Sequence, residues 1–168
     1  MTTATTTTTH TRTHTATYLA EVILGTIGDL LADLGIDASR LYRDWEQDEA
    51  AIKQWIEEQS LDTVVLECRQ PGGKVAPIVE FPVSYNAYGL GDAAFTAQRA
   101  KLARYRAKLA SVPAGSTFGL VCTYRTSYHT PMPGWSPTSR ASTAGLRSSN
   151  FGVLASAPHA TASMRVLS

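Results

Sequence analysis

Residues 124–168 read YRTSYHTPMPGWSPTSRASTAGLRSSNFGVLASAPHATASMRVLS. Pro131, Pro133 and Pro137 interrupt the first part, small-residue runs follow at Ala141–Gly145 and Ala155–Ala162, and the segment closes on Ser163-Met164-Arg165-Val166-Leu167. A solvated polar tail would not finish in apolar, strand-forming residues. The pattern predicts a segment that packs across the protein as a mobile flap or belt, and the preceding residues must supply the body it wraps.

A chain of 168 residues with 43% hydrophobic and 17% charged residues is expected to form one globular domain with a real core, not a disordered segment. Its net charge is only +1, but every acidic residue lies at or before Asp92, giving net −8 over residues 1–92 and net +9 over residues 93–168. Oppositely charged halves favour attraction within the fold over a polyanionic partner, because the basic residues are singly spaced with little aromatic interleaving. Cys68 and Cys122 sit in apolar strand-like runs and read as buried small hydrophobes, with neither a disulfide framework nor metal spacing. No signal peptide is evident and no apolar stretch looks long enough to cross a bilayer, so a cytoplasmic protein is expected.

Along the chain, Met1–Thr13 is a threonine-rich leader expected to be flexible. From His14 to Leu34, Leu19, Val22, Ile23, Ile27, Leu30, Leu31 and Leu34 recur at helical spacing, with Gly35 as the stop and Gly25 and Gly28 as points of close approach. A second helix is expected from Asp44 to Gln59, packed through Trp45, Ile52, Trp55 and Ile56. Leu61–Arg69, the turn Gln70–Lys74 and Val75–Tyr85 form a β-hairpin whose Pro77 and Pro82 call for an edge position or a bulge. After a glycine-containing loop at Asn86–Gly91, Asp92 would cap a third helix from Ala93 to Ala110 that carries Arg99, Lys101, Arg104, Arg106 and Lys108. Thr117–Arg125 reads as the central strand. Helix, helix, hairpin, helix and strand make an α+β domain, an antiparallel sheet with its helices gathered on one face.

Nothing in the pattern points to catalysis. His10, His14, His129 and His159 lack ligand spacing, no phosphate-binding glycine loop follows a strand, and no Gly-x-Ser-x-Gly turn occurs. A Glu67/Glu80 carboxylate pair across the hairpin reads as exposed and structural. A binding module is therefore favoured, and a small enzyme or a nucleic-acid binder using the basic face of residues 99–108 is the alternative.

The run Thr11-Arg12-Thr13-His14-Thr15-Ala16-Thr17-Tyr18, the element order, Gly134-Trp135 and Thr143-Ala144-Gly145-Leu146-Arg147-Ser148-Ser149-Asn150-Phe151-Gly152 together resemble a bacterial HORMA-domain protein. The likeness spans essentially the whole chain and is nearest to the first of the two bacterial HORMA families. It implies a HORMA-like α+β fold with three helices mainly on one face, a core at 14–125 after the leader at 1–13, and a C-terminal safety belt at 126–168. It further implies a non-enzymatic switch of a bacterial anti-phage (CBASS-type) system, without metal or cofactor and without nucleic acid or membrane as partner. The belt would wrap a closure-motif peptide from a second HORMA protein or a phage protein, and the closed form would activate a cyclic-oligonucleotide synthase. An AAA+ ATPase would engage the leader at Thr11, Arg12, Thr13 and His14 and reopen it. The peptide would meet a strand edge at Gly119, Val121, Thr123 and Arg125 and belt residues Trp135, Leu146 and Phe151, with Val166 as a further apolar pin. Deleting residues 134–168 is expected to abolish peptide binding and leave a soluble body.

Overall fold

The computed structural model describes residues 2–86 and 95–168, with side chains from Thr11 onward. Helix α1 (Thr2–Leu34) includes the threonine run, so the helix expected from His14 begins near the start of the chain. It ends where the sequence indicates: Gly35 takes φ +75°, and the N–H groups of Gly35 and Ile36 return to the carbonyls of Ala32 and Leu31. Leu19, Ile23, Ile27, Leu30 and Leu31 are fully or almost fully buried along one stripe. By length and composition Thr11–Leu34 could cross a membrane, contrary to the sequence expectation, because its charged residues are sparse; here 61% of its apolar 18-residue window is buried within the fold. Gly28 is a close approach, since a Cβ there would lie 2.7 Å from the Tyr42 hydroxyl oxygen, whereas Gly25 faces open space.

A short helix α2 (Ser39–Arg43) precedes α3 (Trp45–Glu57), which buries Ala51, Ile52, Trp55 and Ile56. Strands β1 (Leu61–Arg69) and β2 (Val75–Tyr85) form the expected hairpin. The two-residue β3 (Thr96–Ala97) leads into α4 (Arg99–Arg106), then β4 (Thr117–Tyr124), β5 (Ser148–Ser156) and β6 (Ala160–Leu167). Helix α4 is shorter than expected and buries no residue completely. The proposed cap at Asp92, and most of the loop after Asn86, lie outside the described residues.

All neighbouring strands of the six-stranded sheet pair antiparallel, in the order β3-β5-β6-β2-β1-β4. Two expectations are corrected by this order. The strand read as central, β4, lies at an edge. β2 is interior, and its prolines are accommodated locally: Pro77 sits beside a bulge between Glu67 and Arg69, and the β2–β6 pairing lapses between Glu80 and Val83, around Pro82.

One sheet face carries α1 and α3. Val64, Leu66, Cys68, Val79, Phe81, Phe118, Leu154, Met164 and Val166 join the helix stripes in the main core. Val65, Ile78 and Val121 point to the other face, where Ala141 and Leu146 cover them. Burial on both faces explains the nearly continuous apolar run in β1. The unequal charge halves also meet: Arg106 pairs with Asp29 and Asp33, while Arg140 and Arg165 pair with Glu80.

Candidate functional site, a covered slot along an unpaired strand

Among the described residues, strand β4 pairs on one side only. The Arg125 N–H donates to the Ser60 carbonyl on the β1 side (2.8 Å), while the Phe118 carbonyl accepts from the guanidinium of Arg40 in α2. Backbone groups alternate in direction along a strand. Gly119, Val121, Thr123 and Arg125 therefore direct their peptide groups at β1, and Leu120, Cys122 and Tyr124 direct theirs outward. The outward-facing backbone groups therefore belong to the residues between those expected to form the peptide-binding edge.

The segment 125–147 returns alongside this edge without strand pairing to it among the described residues. It is fastened first to the end of α3. Thr130 donates its N–H and hydroxyl to the Glu58 carboxylate (2.9 and 2.6 Å), and its carbonyl accepts from the Trp55 indole N–H (2.7 Å). Burial opposes ionisation of Glu58, but hydrogen bonds from Thr130 and Ser60 outweigh it and hold the carboxyl below its ordinary range. Trp55 is the hub of an aromatic cluster, meeting Tyr124, His129 and Trp135 edge-on at centroid distances of 5.0, 5.8 and 5.4 Å; His129 also stacks on Tyr124. Sequence reasoning took Trp55 only as helix packing and missed Tyr124, His129 and Thr130.

Further along, Gly134 adopts φ +79° against the Gln47 side chain of α3, where an added Cβ would collide. The neighbouring Trp135 indole N–H comes close enough to Asp48 to oppose the rise in its pKa but forms no full hydrogen bond. Burial and the adjacent Asp44 charge nevertheless push Asp48 up to about 6. The segment then crosses to the second sheet face. There the Ala141 N–H donates to Glu67, Arg140 pairs with Glu80 (2.6 Å), and Arg165 pairs with the same carboxylate (2.5 Å). Glu67 and Glu80, expected to be exposed, are 0% and 4% exposed because this crossing covers them. Arg147 and Ser168 exchange backbone hydrogen bonds at the base of the β5–β6 hairpin, which docks on β2.

Between the open β4 edge and the returning segment lies a cavity of about 710 Å3, with Trp55, Val121, Tyr124, His129, Met132 and Trp135 among its lining residues. A second, of about 310 Å3, adjoins it past Trp135, toward Arg40, Asp48, Phe118 and Gly119. Of the residues expected at the site, Gly119, Val121 and Trp135 line these spaces. Thr123 instead donates to Asp62, Arg125 lies over the Tyr85 ring, Leu146 packs on the second sheet face, and Phe151 and Val166 belong to the main core. In the leader, the Thr13 hydroxyl donates to Glu57 (2.8 Å), Arg12 lies near buried His159, Thr11 is half-buried and His14 is exposed.

The sequence matches the family model described as Bacterial HORMA domain 2 over residues 4–165. The chain belongs to that family. The resemblance to bacterial HORMA proteins is thus borne out, with the second family replacing the first. No curated protein matches this HORMA chain in sequence. Its fold is similar to a chain of the mitotic checkpoint complex, at TM-score 0.74 and 11% identity, covering 90% of this chain and 97% of that one. C. elegans HTP-1 bound to HTP-3 motif-1 gives TM-score 0.69 and 12% identity, with coverages of 91% and 89%. The E. coli MS115-1 HORMA:CdnC:Trip13 complex gives 0.63 and 13%, with coverages of 93% and 89%. The HORMA fold is therefore as expected, with four helices among the described residues in place of three.

Proposed function

We propose that this HORMA protein is a peptide-binding conformational switch and not an enzyme. An extended peptide enters the slot beside β4, and the segment 125–147 closes over it as a safety belt. The observation that carries this reading is the 710 Å3 space between an unpaired sheet edge and a segment clasped beyond it. An added strand would gain main-chain hydrogen bonds from Leu120, Cys122 and Tyr124, and its side chains would meet the Trp55–Tyr124–Trp135 cluster. The belt would slow its release by having to open first. The HIM-3 closure motif bound to C. elegans HTP-1, and CdnC and Trip13 in complex with the E. coli HORMA protein, support the same kinds of partner here. We infer a closed form that activates a cyclic-oligonucleotide synthase in anti-phage defence and an AAA+ ATPase that engages the leader. The hydrogen bond from Thr13 to Glu57 supports a mechanical route, since Glu57 adjoins the Glu58 clasp of the belt.

The test uses a peptide selected for binding from a random display library and then N-methylated at one position at a time. β-Augmentation predicts large losses at alternate positions, where N–H groups face β4. Equal tolerance of methylation throughout the peptide would overturn the reading.

A further inference from the structure

We infer that the smaller cavity at the Leu120 end of the slot is a subsite for a lysine or arginine side chain of the bound peptide, and that Asp48 is the residue that selects it. This rests on the switch reading above and names the chemistry of its peptide.

The outward backbone groups of β4 run out at this end. Arg40 already donates to the Phe118 carbonyl and its guanidinium lies 4.6 Å from the centre of the Phe118 ring, so main-chain pairing is offered at Leu120, Cys122 and Tyr124 and stops there. A peptide that continues past Leu120 meets the cavity of about 310 Å3 bounded by α2, the first turns of α3, β4 and the belt residue Trp135. Gly119 leaves room on the strand side, since a Cβ there would find nothing within 4 Å.

The charged groups around this cavity are Arg40, Asp44 and Asp48. Two of them are engaged: Arg40 with Phe118, and Asp44 in a bidentate pair with Arg43, both bonds at 3.0 Å. No ion pair among the described residues includes Asp48, and the Trp135 indole N–H beside it falls short of a full hydrogen bond. Burial first and the Asp44 charge second disfavour ionisation of this half-buried carboxyl, while Trp135 and the Arg40 charge oppose them. Its other titratable neighbour, Cys122 of β4, stays a thiol because burial pushes it up. A cationic side chain would supply the counter-charge and the donors that Asp48 lacks. An acidic side chain would add a third negative charge, and an aliphatic one would cover the carboxylate without giving it a partner.

The test selects peptides from a random display library on the full chain and measures their affinity for that chain and for Asp48→Asn by fluorescence anisotropy. The selected peptides should share a lysine or arginine just past the N-methyl-sensitive position nearest Leu120. Replacing that residue with norleucine should weaken binding to the parent chain by about tenfold or more, and binding to Asp48→Asn far less. Parent affinity should also fall several-fold from pH 7.5 to pH 5 as Asp48 takes up its proton. In Asp48→Asn, which melting curves show to be folded, that fall should be lost, and the difference between the two chains separates Asp48 from His129, the titratable belt residue stacked on Tyr124. Peptides that bind without a shared basic residue, an equal norleucine penalty in both chains, or parallel pH profiles would overturn the subsite and leave the slot intact. A library that yields no binder to the parent chain would instead remove the slot reading, and the subsite with it.

Discussion

Replacing Trp135 with alanine should free the belt while leaving the sheet intact. Trp135 is half-buried, so about 100 Å2 of aromatic surface leaves water on closure, worth about 2.5 kcal/mol. Its edge-on contact with Trp55 at 5.4 Å adds roughly 0.5 kcal/mol or more, bringing the loss to about 3 kcal/mol. At about 1.4 kcal/mol per factor of ten, belt opening should become up to about a hundredfold more frequent. Native-state hydrogen exchange reads this directly at the amides of Thr130 and Trp135, which donate to Glu58 and to the Met132 carbonyl. Amides paired between β1 and β2 provide the control. If the belt amides keep their protection, or the β1 amides lose it equally, Trp135 is not a local fastener and the reasoning fails.

Four further outcomes follow from the same geometry. Glu80→Gln should leave Arg140 and Arg165 without their shared counter-charge and cost about 2 kcal/mol in urea unfolding, discounted because both arginines are partly exposed. Gly134→Ala must hold a side chain at φ +79° and displace Gln47, so a loss of about 1–2 kcal/mol should appear as faster exchange in the belt. Asp48 titrates near 6 when folded against an ordinary 3.8, so the folded state binds the extra proton and stability should rise as pH falls through that window. Asp48→Asn should remove that rise and stabilise the protein at pH 7.5 by about 1 kcal/mol after allowance for partial exposure, as measured by melting at several pH values. Glu58 acts in the opposite sense: its stabilising contribution is present above its ordinary 4.5 and is lost as pH falls through its depressed folded value.

The hairpin Leu61–Tyr85 and the stop at Gly35 were readable because their signals are local: β-branched runs around Pro71-Gly72-Gly73, and a positive-φ glycine after a helical stripe. Strand order was not readable. β4 appeared central because its apolar residues occupy both faces, but the second face is covered by Ala141 and Leu146, a contact formed across a long loop. The buried state of Glu67 and Glu80 depends on the same crossing, which brings Ala141 and Arg140 to their carboxylates. The tail's apolar ending did reveal that it packs. It did not reveal how deeply Phe151, Leu154, Met164 and Val166 enter the main core. Removing residues 134–168 should therefore unfold the domain, contrary to the sequence expectation of a soluble body.

The account turns on whether a peptide strand adds to β4 beneath the belt. Residue-resolved hydrogen exchange of the full chain, with and without a display-selected peptide, tests this directly. The prediction is slowed exchange at Leu120, Cys122 and Tyr124, accompanied by stronger protection of Thr130 and Trp135. Saturating peptide that leaves the three outward β4 amides unchanged would contradict it.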